Sequence, residues 1–102
     1  MFDNQHYITC GIDAEIPPIT QLTLWQLIRA RRMEGAELDY IQVFRLEPAD
    51  TPDLGIVQKI THSQEAPPCQ AEAQLVGPEP VAAKIYVIDD GDHSTMMLAE
   101  ER

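Results

Sequence analysis

Basic residues are scarce in this sequence, in which seven lysines and arginines stand against seventeen aspartates and glutamates, giving a formal net charge of −10. A surface of that sign repels the phosphate backbone over most of its area, so direct binding to nucleic acid is not expected. Long apolar runs are also lacking, since no stretch approaches the roughly 18 residues that a membrane span needs. The first six residues contain an aspartate and no lysine or arginine, which is unlike a secretory signal. We therefore expect a cytoplasmic protein without membrane contact.

Cysteine occurs only twice, at Cys10 and Cys69, which is too few for a zinc framework. In a reducing compartment both are expected to be free thiols. Cys10 falls in a stretch that predicts an apolar strand, where cysteine acts as a small hydrophobic residue. Cys69 follows Pro67 and Pro68 in a predicted loop, so it is the better candidate for a reactive thiol. Neither lies in a sequence signature of nucleophilic catalysis.

Glycine clusters are missing as well, because the five glycines are isolated from one another and form no phosphate-binding loop. A partial match to a calcium loop begins at Asp90, but Thr95 stands where that loop requires glycine. Adjacent carboxylates, such as Asp89 and Asp90, point to opposite faces of a strand and make no acid–base pair. We therefore expect no metal and no other cofactor, and we favour a protein without catalytic activity.

The chain does contain enough apolar sequence for one core, with 44% hydrophobic residues, and its length is usual for one domain. We predict a single domain over residues 1–102. The strongest local pattern is the helical spacing of apolar residues from Ile19 to Met33. Pro17 and Pro18 precede it, and proline suits the first turn of a helix. Gly35 is placed to end the helix in the left-handed conformation.

Alternating and β-branched segments predict the strands, which are Tyr7–Cys10, Leu38–Leu46, Leu54–Thr61, Gln70–Val76, Lys84–Ile88 and Ser94–Ala99. Stretches rich in proline, glycine and acidic residues predict loops at Glu47–Asp53, Gln64–Pro68 and Gly77–Pro80, and the Asp-Gly pair within Asp89–Asp92 is typical of a tight hairpin. Short connections favour antiparallel neighbours. The predicted fold is therefore α+β, with one main helix packed on a mostly antiparallel sheet of about five to six strands.

Two charged clusters are candidate partner-binding residues. Arg29, Arg31 and Arg32 close the predicted helix, where they interact favourably with the helix dipole. Arginine also binds planar anions, so the same cluster is a candidate docking patch for an acidic partner, a phosphate or the acidic hairpin of a second copy. That acidic hairpin is the other cluster, and its residues are Asp89, Asp90 and Asp92.

A pocket between helix and sheet is the second candidate site. Its polar groups would come from Tyr40, His62, Cys69 and His93. Trp25 lies in the wide apolar arc of the predicted helix, which favours a core position over the role of an interface anchor.

A further pattern is the order of short segments along the chain: Tyr7-Ile8-Thr9 with Gly11-Ile12, Glu15-Ile16-Pro17, Leu24–Ile28, Leu38–Phe44, Gln58–Ile60, Val87–Gly91 and Leu98–Glu101. Together these segments resemble an uncharacterised family of short bacterial proteins that is catalogued as a domain of unknown function. The resemblance covers nearly the whole chain, apart from Glu47–Gly55. It implies a stand-alone cytoplasmic protein, and it implies no activity, because the family has none assigned.

Our first hypothesis is a small regulatory protein that binds another protein and has no enzymatic activity. One alternative is a small-ligand-binding protein or enzyme that uses the pocket between helix and sheet. Another is an acidic mimic of nucleic acid, which would line up carboxylates on one face. Pairing of strand edges across a two-fold axis would make the protein a homo-oligomer.

Overall fold

The computed structural model of the chain describes residues 1–102 and contains six strands, two α-helices and one short 3₁₀ helix. In chain order these are β1 (Gln5–Ile8), α1 (Cys10–Glu15), α2 (Pro18–Met33), β2 (Ile41–Thr51), β3 (Gly55–Glu65), β4 (Pro68–Leu75), β5 (Ala83–Asp89), β6 (His93–Leu98) and the 3₁₀ helix Ala99–Glu101. The fold is α+β. None of the helices combines the length and the apolar character that a membrane crossing requires.

All six strands belong to one sheet with the order β1-β6-β5-β2-β3-β4. Four of the strand pairs are antiparallel. Three of them join strands that follow one another in the chain, β2–β3, β3–β4 and β5–β6, and the fourth is β2–β5. β1 is the exception, because it pairs with β6 in parallel. The sheet is therefore mixed, with its parallel pair at one edge and β4 at the other.

Both helices lie on the same face of the sheet. The buried side of α2 is formed by Thr20, Leu24 and Ile28, which recur every four residues and so share one side of the helix. Leu24, Ile28 and α1 pack against the inward side chains of the four central strands in one core cluster. The core residues are Phe2, Ile12, Ile16, Leu24, Ile28, Phe44, Leu46, Ile60, Ile85, Val87, Met96 and Leu98. No helix covers the other face of the sheet.

The structure confirms the local signals that predicted the main helix. It spans Pro18–Met33, one residue longer than predicted, with Pro18 at its first position. Arg31 and Arg32 lie in its last turn, close to the negative end of the helix dipole. Gly35 has φ 80°, the left-handed conformation expected just beyond a helix.

The prediction of a strand through Cys10 was wrong. The strand ends at Ile8, and Cys10 begins α1, where it is exposed. Thr9 caps this helix, because its Oγ1 accepts a hydrogen bond of 3.3 Å from Ile12 N. The carboxylate of Glu101 accepts two more, from Thr9 Oγ1 and from Gly11 N. A stabilising residue that lies ninety positions away leaves no local signal for this helix.

Two predicted loops were also wrong, because strands continue through them. β2 begins at Ile41 and extends through Pro48 to Thr51. It pairs with β5 only as far as Leu46, so beyond that point it has one neighbour, and a proline can face the unpaired side. β3 likewise continues to Glu65, and β4 begins at Pro68 on the sheet edge, so Cys69 lies in a strand and not in a loop.

Candidate functional site

The structure distributes the ten candidate residues over four places. Arg31, His62 and Cys69 meet under the end of α2. Arg29 and Arg32 line a groove beside the N-terminal segment. The third place is the β5–β6 turn, which holds Asp89, Asp90, Asp92 and His93, and Tyr40 stands alone at the rim of the uncovered sheet face.

His62 lies in a buried polar network on β3. It is 3% exposed, and its ring stacks on Phe44 with a centroid distance of 4.3 Å. Its Nε2 lies 2.7 Å from Gln42 Oε1, while Gln42 Nε2 donates to Gln64 Oε1 at 2.9 Å. Gln64 Nε2 in turn donates to the main-chain carbonyls of Glu37 and Pro67. The network thus ties the core to the segments that enter β2 and leave β3.

Burial, assisted by the positive charge of Arg31, lowers the pKa of His62 from 6.5 to about 4. The ring is therefore neutral at neutral pH, and its Nε2 donates to the amide oxygen of Gln42, which is an acceptor. A neutral, hydrogen-bonded imidazole in this position stabilises the core.

Arg31 contributes the charged part of this region. Its Nη2 contacts Cys69 Sγ on β4, while its Nε is buried without a hydrogen-bond partner. A cavity of about 160 Å³ opens between α2 and β4, and Arg31 and His62 lie among its lining residues. The volume is below the roughly 300 Å³ at which small-molecule sites begin.

The two cysteines are far apart. Cys69 lies on β4, whereas Cys10 begins α1, the helix that contacts β6. Four strand spacings separate β4 from β6 in the sheet, which amounts to about 19 Å. A disulfide between them is excluded, because its Cα atoms must lie within about 7 Å. No cluster of three or more histidine, cysteine or acidic side chains is placed to hold a metal ion.

The groove between α2 and the N-terminal segment, hereafter the arginine groove, has a volume of about 390 Å³. Arg29 and Arg32 lie on its helix side, and neither has a carboxylate partner. Its centre holds Trp25, which is half-buried and stacks on His6 at 3.9 Å with the rings almost parallel. Leu22 is 50% exposed at its end. Trp25 therefore packs against the core with one side and lines the groove with the other.

The β5–β6 turn, hereafter the acidic turn, uses its three aspartates differently. Asp89 is buried and accepts hydrogen bonds from Phe2 N, Gly91 N and Asn4 Nδ2. Burial acts to raise the pKa of Asp89, but these bonds together hold it below its ordinary value. Asp90 accepts bonds from the turn backbone and pairs with His93 at 3.1 Å. Asp92 is exposed and its carboxylate has no partner.

The uncovered sheet face, hereafter the open face, holds candidate residues that sequence reasoning missed. Arg45 on β2 lies directly opposite Lys84 on β5 in the strand register. The ammonium of Lys84 lies 5.4 Å from the ring centre of Tyr86, and the guanidinium of Arg102 lies 5.2 Å from it. These four residues line a broad depression of about 780 Å³. Alternation along the strands could have placed them on one face, but only the register brings Arg45 against Lys84.

The cations of the open face differ in their partners. Lys59 forms ion pairs with Glu47 and Glu72, at 3.9 and 3.7 Å. Arg45, Lys84 and Arg102 have no carboxylate within ion-pair distance. Like charges opposite one another on neighbouring strands repel, and the ring of Tyr86 compensates part of this repulsion by cation–π contact. The arrangement leaves three cations free to bind an anionic group.

Comparison with known proteins gives two matches. A family model described as "Staphylococcal protein of unknown function (DUF960)" matches residues 5–101. The crystal structure of a protein of unknown function from Enterococcus faecalis superposes with a TM-score of 0.74, at 22% sequence identity, over 98% of this chain and 92% of the other. That likeness shows a shared fold. A search of curated proteins found no match.

Proposed function

Because the chain belongs to this family of staphylococcal proteins of unknown function, which confirms the resemblance seen in the sequence, we propose its function from the geometry. It is a non-enzymatic cytoplasmic module that binds an acidic segment of another protein on its open face. The observation that carries the proposal is the set of three cations, Arg45, Lys84 and Arg102, that lack carboxylate partners.

Charge complementarity selects the partner. The chain carries seventeen acidic residues, yet four of its seven cations line the open face. An acidic segment would neutralise the repulsion between Arg45 and Lys84, whereas a basic segment would be repelled by the cations of the open face. Arg45 supplies the planar donors that bind carboxylates in bidentate fashion.

The shape of the open face also favours a protein segment. Tyr40 and Tyr86 flank the cations, and tyrosine and arginine are common in the energetic centres of protein interfaces. Ile41 and Val43 add apolar surface between them. Thr61, Ser63 and Gln70 offer hydrogen-bonding groups along the same depression.

The two alternatives receive less support. A ligand pocket between helix and sheet would have to use the cavity of about 160 Å³ beside Arg31, because the core fills the rest of that interface. A mimic of nucleic acid would need carboxylates aligned on one face. The acidic residues are instead spread over the N-terminal segment, α1, the stretch from the end of α2 to β2, the strands β2 and β4, the turns between strands and the 3₁₀ helix.

The proposal is tested by capturing partners with the tagged protein from the cytoplasm of its own bacterium, at low and high salt. The variant R45Q/K84Q removes the two opposed cations, and R29Q/R32Q is its matched control, because it changes the net charge equally on another surface. We expect one stoichiometric partner with an acidic segment, bound at low salt by the wild type and the control. High salt and R45Q/K84Q should each abolish its capture.

Two results would contradict the proposal. One is the return of the bait alone at low salt. The other is equal capture of the partner by R45Q/K84Q and by the wild type, since a partner bound elsewhere would not respond to these two charges.

A further inference from the structure

We propose that the arginine groove and the acidic turn together form a self-complementary surface, through which two copies of the chain pair across a two-fold axis. Each copy would place its acidic turn in the arginine groove of the other. The inference is independent of the proposed function, because it uses a different surface and different residues.

The arginine groove provides the positive half of this surface. Arg29 and Arg32 lie one turn apart on α2 and both line the groove without an ion pair. Trp25 and the half-exposed Leu22 give it an apolar wall. Asp3 is the carboxylate on the opposite wall, and it lies 3.7 Å from the amino group of Met1. The groove therefore presents two unpaired guanidinium groups beside apolar surface.

The acidic turn provides the negative half. The carboxylate of Asp92 has no partner. That of Asp90 is half exposed, accepts hydrogen bonds from the turn backbone and forms its one ion pair with His93. Asp89 does not belong to the docking surface, because it is buried and binds Phe2 and Asn4. The exposed charges of the turn are therefore those of Asp90 and Asp92.

The two halves are adjacent on one side of the molecule. Phe2 and Asn4 line the arginine groove, and the same two residues form hydrogen bonds to Asp89 and Gly91 in the acidic turn. The N-terminal segment thus lies between groove and turn. No ion pair joins the turn to the arginines of its own chain, so both halves are open to a second copy.

Adjacent patches of opposite sign fit a two-fold dimer in particular. In an isologous interface, a contact between residue i of one copy and residue j of the other occurs twice. One such axis between groove and turn would pair both grooves with both turns. Other occupants of the groove, such as a free anion or an unrelated acidic protein, would use only one half of the surface.

The test compares wild type, R29E, D92R, an equimolar mixture of the two variants, and R29E/D92R, by sedimentation equilibrium at low and high salt. The side chains of Arg29 and Asp92 are exposed and make no hydrogen bond, so circular dichroism should show unchanged folding. We expect a wild-type dimer at micromolar concentration that weakens with salt. Either single variant should dissociate about tenfold or more readily, because each reversal repeats in both halves of the interface.

Mixing gives the decisive result. A heterodimer of R29E with D92R has two contacts between groove and turn. One joins the introduced Glu of the first variant to the introduced Arg of the second, and the other joins the native Arg29 to the native Asp92. Both contacts are therefore attractive. Dimers should therefore return in the mixture and in R29E/D92R. A wild-type monomer at low salt would overturn the proposal, as would dimers in which the single variants are unaffected or the mixture stays monomeric. A dimer that persists in all variants would place the contact elsewhere.

Discussion

At the scale of single residues, the neutral state of His62 makes a prediction about pH. Its pKa is 6.5 when unfolded and about 4 when folded, so the unfolded chain binds a proton over this interval and the folded chain does not. The free energy of unfolding should therefore be fully retained above pH 6.5 and fall as the pH drops towards 4. At about 1.4 kcal/mol per pH unit, the loss is about 3 kcal/mol.

The variant H62Q should remove this dependence, because glutamine can still donate to Gln42 and does not titrate. The measurement is urea unfolding at several pH values from 7 downward, and the quantity compared is the slope of the free energy of unfolding against pH. A loss of stability that is the same at every pH leaves this slope unchanged. Asp89 and Glu101 lose their contributions to the free energy of unfolding only below their ordinary pKa values of 3.8 and 4.5. The change in stability above pH 4.5 is therefore assigned to His62. H93Q is the control at a partly exposed histidine, and a wild-type slope in H62Q would refute the assignment.

At the scale of elements, α1 depends on a contact with the other end of the chain. A helix of six residues is too short to be stable alone. The hydrogen bond from Thr9, with those from Leu98 N and Gly11 N, lowers the pKa of Glu101, so its charged form holds α1 to the 3₁₀ helix. A Cβ at position 11 would lie 2.6 Å from the Glu101 carboxylate.

E101A should therefore destabilise the protein. G11A should destabilise it less, because the helix propensity of alanine offsets part of the lost Glu101 contact. Their combined effect should be smaller than the sum, because each removes the same contact. A double-mutant cycle by urea unfolding measures this, and hydrogen exchange of the α1 amides should quicken in all three variants. E100A changes the neighbouring carboxylate, which forms no hydrogen bond, and serves as control. Additive losses would mean that glycine and glutamate act separately.

The sequence predicts those elements whose stabilising contacts are local in the chain. α2 was predicted to within one residue because its signals are local: apolar spacing, Pro18 at the start and Gly35 after the end. α1 was missed because its stabilising carboxylate comes from Glu101. The strand through Pro48 was missed because proline is tolerated there only where β2 lacks one neighbour, which depends on the strand order.

At the scale of the whole molecule, the candidate sites were predictable only in part. Sequence proximity grouped Arg29, Arg31 and Arg32 in one cationic cluster, yet Arg31 points away from the other two, towards Cys69. Asp89 looked like a surface charge and is buried by the N-terminal segment. Arg45 and Lys84 are 39 positions apart, so no local pattern joins them, and the open face emerges only once β2 and β5 are paired.

That pairing gives a prediction in which stability and binding oppose each other. K84E should stabilise the protein by about 0.5 kcal/mol, because it converts the opposed cations into a cross-strand pair with Arg45. The net charge becomes more negative, but distant charges are screened beyond about 8 Å at physiological salt, so the local contact decides.

K59E makes the identical charge change between Glu47 and Glu72 and should destabilise instead. Urea unfolding measures both signs, and K84E should at the same time lose the captured acidic partner. If K84E were less stable than the wild type, Arg45 and Lys84 would not repel each other. The open face would then lack the repulsion that an acidic segment is proposed to neutralise.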